Sequence, residues 1–322
     1  MNDALIQEIA HRIQVAQRIL VVSHIRPDGD AVGSLVGLGL ALREAGKDIQ
    51  MVLTDGVPAS FRHLEGSKQV RNRPEGRFDF ICTVDCSDLN RTGGALNGYP
   101  QPDLNIDHHI TNLEYARINL VEPSAVATAE MLAELLPAVK LPLNQPVSAA
   151  LLTGIITDTI GFRTSNVTPK ALRIAADLME LGANLPEIYR RGLVDRSFEA
   201  IQLWGAGLEN LNREGGLVWT TLTLADRRAI GYPGRDDADL INVLSSIEDA
   251  DIAVIFVEQP KNKVKVSWRA QPGIDVSLVA LSFGGGGHPS ASGAEIEGRL
   301  DEVRSAVIQA THALLNGKIA QE

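Results

Sequence analysis

A chain of 322 residues with two cysteines cannot rest on a disulfide framework. Cys82 and Cys86 stand in a C-x3-C spacing, and no further cysteine is present to complete a zinc site. Both read as buried thiols beside strand ends. Aromatic residues make up only 4% of the chain, too few for an extended platform on which long single strands would stack. No apolar run approaches the ~20 residues that a membrane-spanning helix needs. Positive charge is short as well. Against 40 Asp and Glu there are 30 Lys and Arg, a formal net charge of −10, which excludes a protein that coats long RNA or DNA through a basic face. The opening MNDALIQEIAHRI lacks the basic start and apolar centre of a signal peptide. The expectation is a soluble cytoplasmic protein with no membrane partner.

What the chain does contain is ordinary globular stock. It is 44% hydrophobic and 22% charged, and its length suits two domains. Short apolar runs, RILVV (18–22), IQMVLT (49–54), FDFICTVD (78–85) and PDLNIDHH (102–109), alternate with helical patterns at 3–17 and 31–46. Near-continuous apolar strands separated by helices imply an α/β fold, a parallel sheet with helices on both faces. Segments 125–136, 147–160 and 169–182 read as helices. From 216 the texture changes to a smaller α/β unit with a mixed sheet. LVWTTLTL (217–224) is a strand, 237–249 a helix, and DIAVIFVEQ and KVKVSWRA flank PKN as a hairpin. The expected division is a first domain over 1–185, a helical connector over 186–212 and a second domain over 213–322.

Four groups of His and Asp stand at strand ends or in an apolar helix: His24, Asp28 and Asp30 in SHIRPDGD; Asp85 after FDFICTV; Asp107, His108 and His109; and Asp158 in ALLTGIITDTI. In an open α/β sheet, ligands bind beyond the carboxyl ends of the strands. Carboxylates crowded there repel one another unless cations intervene. Carboxylates with some imidazole suit hard or borderline ions, so Mn²⁺ is the first choice and Mg²⁺ or another divalent ion the alternative. Period-2 spacing would point Asp28 and Asp30 the same way in an extended segment, with Gly29 allowing a tight turn. Downstream, the four glycines of FGGGGHPSASG offer backbone amides as an anion-binding nest.

SHIRPDGDAVGS (23–34), VDCSD (84–88), DHH (107–109), TDT (157–159) and GGGGHPSASG (284–293) together resemble the DHH phosphoesterase superfamily, subfamily 1, with its C-terminal DHHA1 domain. Length and the two-domain layout are most similar to the oligoribonuclease and 3′-phosphoadenosine 5′-phosphate (pAp) phosphatase branch. The resemblance implies a centre of two divalent ions that clamps attacking and leaving oxygens. His24 and Asp28 would hold one ion, Asp30, His108 and Asp158 the other, and Asp85 both. It gives Asp85 and His109 catalytic roles, with His109 touching the phosphoryl oxygen or protonating the leaving group. Asp107 would orient a ligand histidine. Arg269, Gly286, Gly287 and His288 would bind the terminal nucleotide, and Arg163 is a further phosphate contact.

The implied substrates are short RNA oligonucleotides, pAp or dinucleotides, cleaved to mononucleotides or relieved of a phosphate. A phosphodiesterase for cyclic or linear dinucleotides would use the same centre. The GGGGH run disfavours a pyrophosphatase, and the absence of further nucleic-acid-binding domains disfavours a processive exonuclease. A non-catalytic nucleotide-binding module would have lost ligands, yet all six positions are filled. Homodimerisation through an apolar helix such as 125–136 is a further expectation.

Overall fold

The computed structural model describes residues 3–317. The chain divides into two compact units between Asp195 and Arg196, within the segment expected as a connector.

The first unit opens with α1 (Asp3–Val15), which buries Ile9 and Ile13. There follow β1 (Arg18–Val22), α2 (Gly29–Glu44), β2 (Asp48–Val52), β3 (Phe80–Val84), β4 (Leu104–Asp107) and β5 (Ile118–Val121). The five strands form one sheet in the order β2-β1-β3-β4-β5, with every pair parallel. Strand residues alternate between faces. Ile19, Val21, Cys82 and Val84 join the main core with α1, α2, α3 (Thr128–Ala138) and α4 (Gln145–Asp158). The opposite face, with Leu20, Val22, Val52 and Ile81, is closed by Phe78, Ala95, Leu96 and Tyr99. That cover comes mainly from turns after a short 3-10 helix at Leu89–Thr92, whereas helices were expected on both faces.

Two glycines set how closely α2 lies on α4. A Cβ on Gly29 would fall 2.2 Å from Thr157 Oγ1, and one on Gly33 2.4 Å from the Ala150 carbonyl oxygen. Because neither carries a side chain, the start of α2 reaches the end of α4, and Asp28 and Asp30 reach Asp158. The α3 helix buries Thr128 to Ala133, Leu135 and Leu136. Its apolar face is therefore committed to this core, which removes the helix expected to pair two copies of the chain. The unit closes with α5 (Pro169–Glu180), α6 (Leu185–Tyr189) and a π-helical turn at Arg190–Val194.

The second unit comprises α7 (Phe198–Glu209), β6 (Asn212–Glu214), β7 (Leu217–Leu222), α8 (Leu224–Ile230), α9 (Leu240–Leu244), β8 (Ile252–Gln259), β9 (Lys263–Ala270), α10 (Ser277–Ser282), β10 (Gly286–His288), β11 (Ala291–Glu297) and α11 (Leu300–Leu315). Its sheet runs β10-β11-β9-β8-β7-β6; only β7 and β8 pair in parallel, so the sheet is mixed. The β8–β9 hairpin turns through Lys261 and Asn262, at φ 65° and 53°, the left-handed pair that tight hairpin turns use. The helix expected over 237–249 is only α9. Trp268 lies fully buried, and its indole N–H donates to Thr311 Oγ1 at 3.1 Å. Among the described residues, no helix is long and apolar enough to cross a membrane.

Candidate metal centre

β1 and β3 are neighbours, while β2 lies on the far side of β1. The chain order thus reverses between β1 and β3, the place where open α/β sheets bind ligands. His24 follows β1, Asp85 follows β3, and Asp107, His108 and His109 stand at the end of β4. Asp85 adopts a left-handed backbone at φ 53°. Such strain in a non-glycine residue is held only where the surroundings over-determine it.

Around Asp85 two groups of ligand atoms converge. In the first, His24 Nε2 lies 3.4 Å from Asp85 Oδ2 and 3.8 Å from Asp28 Oδ2. In the second, His108 Nε2 lies 3.7 Å from Asp85 Oδ1, 3.9 Å from Asp30 Oδ2 and 3.4 Å from Asp158 Oδ2. All six expected ligands therefore gather, with Asp85 common to both groups. Asp30 and Asp85 are each 1% exposed, whereas the Asp28 side chain is 58% and Asp158 29% exposed, so the centre opens along one edge.

The backbone around Asp28 and Asp30 departs from the extended segment expected. Gly29 begins α2, and Asp28 is its N-cap, its side chain accepting from the Ala31 amide at 3.0 Å. Asp30 lies inside the first turn. The two carboxylates consequently point into different halves of the centre. Asp30 Oδ2 accepts the Thr128 amide at 2.7 Å, and Oδ1 accepts the Ala129 amide and the Ser34 hydroxyl, each at 3.0 Å. Asp30 thereby caps the N-terminus of α3, where orphan amides and the helix dipole favour an anion.

Hydrogen bonds settle which imidazole nitrogen faces inward. A carbonyl can only accept, so His24 Nδ1–H donates to the Ile25 carbonyl at 2.8 Å and His108 Nδ1–H to that of Ala125 at 3.2 Å. Each Nε2 then turns its lone pair toward the carboxylates, as in metal-ligating histidines. Asp107, expected to orient a ligand histidine, instead serves His109. Its Oδ1 accepts from His109 Nδ1–H at 2.7 Å, and its Oδ2 from Asn112 Nδ2 at 2.5 Å.

The electrostatics are those of an over-charged site. Burial raises the Asp30 and Asp158 pKa values well above the ordinary range. Asp85 and Asp158 push Asp30 further, and Asp28 and Asp85 push Asp158. Burial opposes charging His24, His108 and His109, but neighbouring carboxylates outweigh it and all three pKa values rise. Asp85 moves down despite its burial, because His24, His109 and His108 favour its charge. A buried ion left uncompensated costs several kcal/mol. His24 Nε2 is moreover a buried polar atom with no hydrogen-bond partner. An orphaned imidazole lone pair facing carboxylates fits a divalent cation, so the donor set matches two such ions sharing Asp85.

Arg163 is exposed on the turn after α4. In the second unit the glycine run becomes strand β10, where an amide nest was expected. A Cβ on Gly285 would meet the Gly293 carbonyl oxygen at 2.2 Å, whereas one on Gly286 would meet nothing within 4 Å. The register pairs Arg269 with Ala291 and Ala291 with His288. Directly paired residues share a face, so Arg269 and His288 flank the small Ala291, about 10 Å apart at two strand spacings. Sequence reasoning missed Thr128, Ser34 and Asn112. Thr128 reaches Asp30 and Asp85 through tertiary packing, and only the Thr-x-Glu start of α3 hinted at a helix terminus there; Ser34 lies one helical turn after Asp30, and Asn112 five residues after Asp107.

The sequence model of the DHH family, N-terminal domain, matches residues 18–155, and that of the DHHA1 domain matches 230–313. The bifunctional oligoribonuclease and PAP phosphatase NrnA of Thermus thermophilus is 34% identical over 299 residues, covering 91% of this chain and 88% of the relative. The crystal structure of an exopolyphosphatase-related protein from Bacteroides fragilis superposes with a TM-score of 0.87 at 24% identity, covering 98% of this chain and 97% of that one. RecJ of Thermus thermophilus, solved in complex with Mn²⁺, gives a TM-score of 0.55 at 16% identity, covering 99% of this chain and 55% of that one.

Proposed function

The chain belongs to the DHH family with a DHHA1 domain, and from that premise we propose that it is a phosphohydrolase using two divalent ions to cleave short oligoribonucleotides to mononucleotides and to dephosphorylate pAp. The observation that carries this is Asp85, shared by two groups of imidazole and carboxylate atoms at the switch point of a parallel sheet. The substrates follow those named for the Thermus thermophilus relative, which aligns over nearly the whole chain.

His24, Asp28 and Asp85 would hold one ion, and Asp30, Asp85, His108 and Asp158 the other. Mn²⁺ is the proposed metal, in keeping with the donor set and with the Mn²⁺ of the RecJ neighbour. When bound, such ions withdraw charge from a phosphoryl group and activate water for attack. His109 keeps its Nδ1 proton on Asp107, which orients the imidazole. The Asp107 carboxylate on Nδ1 stabilises the imidazolium, which can pass the Nε2 proton to the alkoxide oxygen as the P–O bond breaks. Arg269, Gly286, Gly287 and His288 are assigned to the phosphate or sugar of a nucleotide. Gly286 fits this role, since its missing side chain leaves backbone open to a ligand. Arg163 is proposed as a further phosphate contact.

Parallel assays of the Mn²⁺-loaded chain on pAp, a dinucleotide, a pentanucleotide and cyclic di-AMP test this reading. Release of mononucleotides from the linear oligonucleotides and of phosphate from pAp is expected. A marked preference for the cyclic substrate would overturn it.

A further inference from the structure

We propose that Thr128 is the positioning residue that joins the two halves of the metal centre. Resting on the reading of that centre given above, the inference starts from the first turn of α3. The N-cap position is Ala127, which has no side chain able to cap the helix. Asp30 does so from 98 residues earlier, taking the Thr128 amide at 2.7 Å and the Ala129 amide at 3.0 Å. A threonine at a helix start usually turns its hydroxyl to nearby backbone. Thr128 Oγ1 instead donates to Asp85 Oδ1 at 3.0 Å, across 43 residues. One residue thus grips a carboxylate of the second ligand group and the carboxylate common to both.

The segment carrying Thr128 is locked on its other side. Glu130 is fully buried, and its Oε2 accepts the Val126 amide at 2.7 Å while Oε1 lies 2.8 Å from Lys170 Nζ. The Ala125 carbonyl accepts from His108 Nδ1–H. Residues 125–130 therefore touch His108, Asp30 and Asp85 together. The hydroxyl has one proton, and giving it to Asp85 Oδ1 fixes the rotation of that carboxylate. Asp85 Oδ2 then stays toward His24, and Oδ1 toward His108. Without the hydroxyl, Asp85 is free to turn toward one half and leave the other short of a ligand.

Full-length Thr128→Val, which keeps the shape, and Thr128→Ser, which keeps the hydroxyl, test the assignment. Mn²⁺ binding is measured by calorimetry, the spin coupling of paired ions by electron paramagnetic resonance, and the melting temperature on chelated protein. Parent protein is expected to bind two coupled Mn²⁺. Thr128→Val is expected to melt like the parent when chelated, to bind at least one ion about 10- to 100-fold more weakly, the range for lost support of a metal ligand, and to lose the coupled signal. Thr128→Ser should restore both. Parent-like affinity and coupling in Thr128→Val, or a Thr128→Ser defect as large, overturns the proposal. Should Thr128→Val not fold, Thr128→Ala against Thr128→Ser makes the same comparison, and unfolding of every variant assigns the residue to the fold and overturns the proposal. Failure of the parent itself to bind a pair of Mn²⁺ overturns the centre and this inference together, a result visible without any variant.

Discussion

Asp107 accepts the Nδ1 proton of His109 at 2.7 Å and turns no oxygen toward a donor-poor space. Oδ1 also takes the His108 amide at 3.0 Å, and Oδ2 takes Asn112 Nδ2 at 2.5 Å. An amide in place of this carboxylate would set an N–H against another donor whichever way it turned. Asp107→Asn should therefore misplace His109 while sparing the ligand atoms of the ions. The expected outcome is a kcat about 10²- to 10⁴-fold lower, the usual contribution of general acid–base catalysis, with KM and bound Mn²⁺ unchanged. Steady-state kinetics with metal analysis check this, and a variant that loses metal would point to Asp107 as a ligand.

The raised pKa values of Asp30, Asp158, His24, His108 and His109 carry a pH signature. Each group holds protons more tightly folded than unfolded, so each contributes stability at low pH that is lost as pH rises. Asp85, with its lowered pKa, acts in the opposite sense and only in acid. Chelated protein should accordingly melt at lower temperature as pH rises from about 5 to 8, the window above the ordinary carboxylate and through the histidine values. Metal ligands must be deprotonated, so the rise in melting temperature on adding Mn²⁺ should grow over the same window. Scanning calorimetry with and without chelator checks it. A Mn²⁺-induced rise that shrinks with pH would contradict it.

Gly33 has backbone against it, the Ala150 carbonyl oxygen standing 2.4 Å from where a Cβ would lie. Gly33→Ala must push α2 away from α4, an overpacking that costs about 1–3 kcal/mol. A melting temperature lowered by several degrees, together with weaker Mn²⁺ binding as Asp30 and Asp158 separate, is expected from calorimetry. An unchanged melting temperature would show that the two helices have slack.

The glycines of the second unit divide in the same way. Gly285→Ala should destabilise the unit, since its Cβ would collide with β11, whereas Gly286→Ala has open space. If Gly286 borders the nucleotide, its alanine variant melts like the parent but shows a higher KM for pAp. A normal KM would remove Gly286 from the substrate site.

Much of the centre was legible because its parts are local. RILVV and FDFICTVD announce buried parallel strands, and the polar residues that end them are the candidate ligands. Distances along the chain set the limit. Asp28 and Asp30 look like neighbours on an extended segment until Gly29 packs on Thr157 and starts a helix there. The glycine run reads as a loop because strand β10 exists only by pairing with β11. Strand β5, four residues long, is too short to show a period. Thr128 shows at most a helix start in the sequence, for its meaning lies in carboxylates 98 and 43 residues away.

The sharing of Asp85 between two ions is tested most directly by counting Mn²⁺ per chain and phosphate released from pAp in Asp85→Ala. A folded variant that no longer holds a pair of ions and turns over at least about 10²-fold more slowly, the scale of losing a transition-state electrostatic stabiliser, is the expected result. Two bound Mn²⁺ and full turnover would contradict the shared carboxylate.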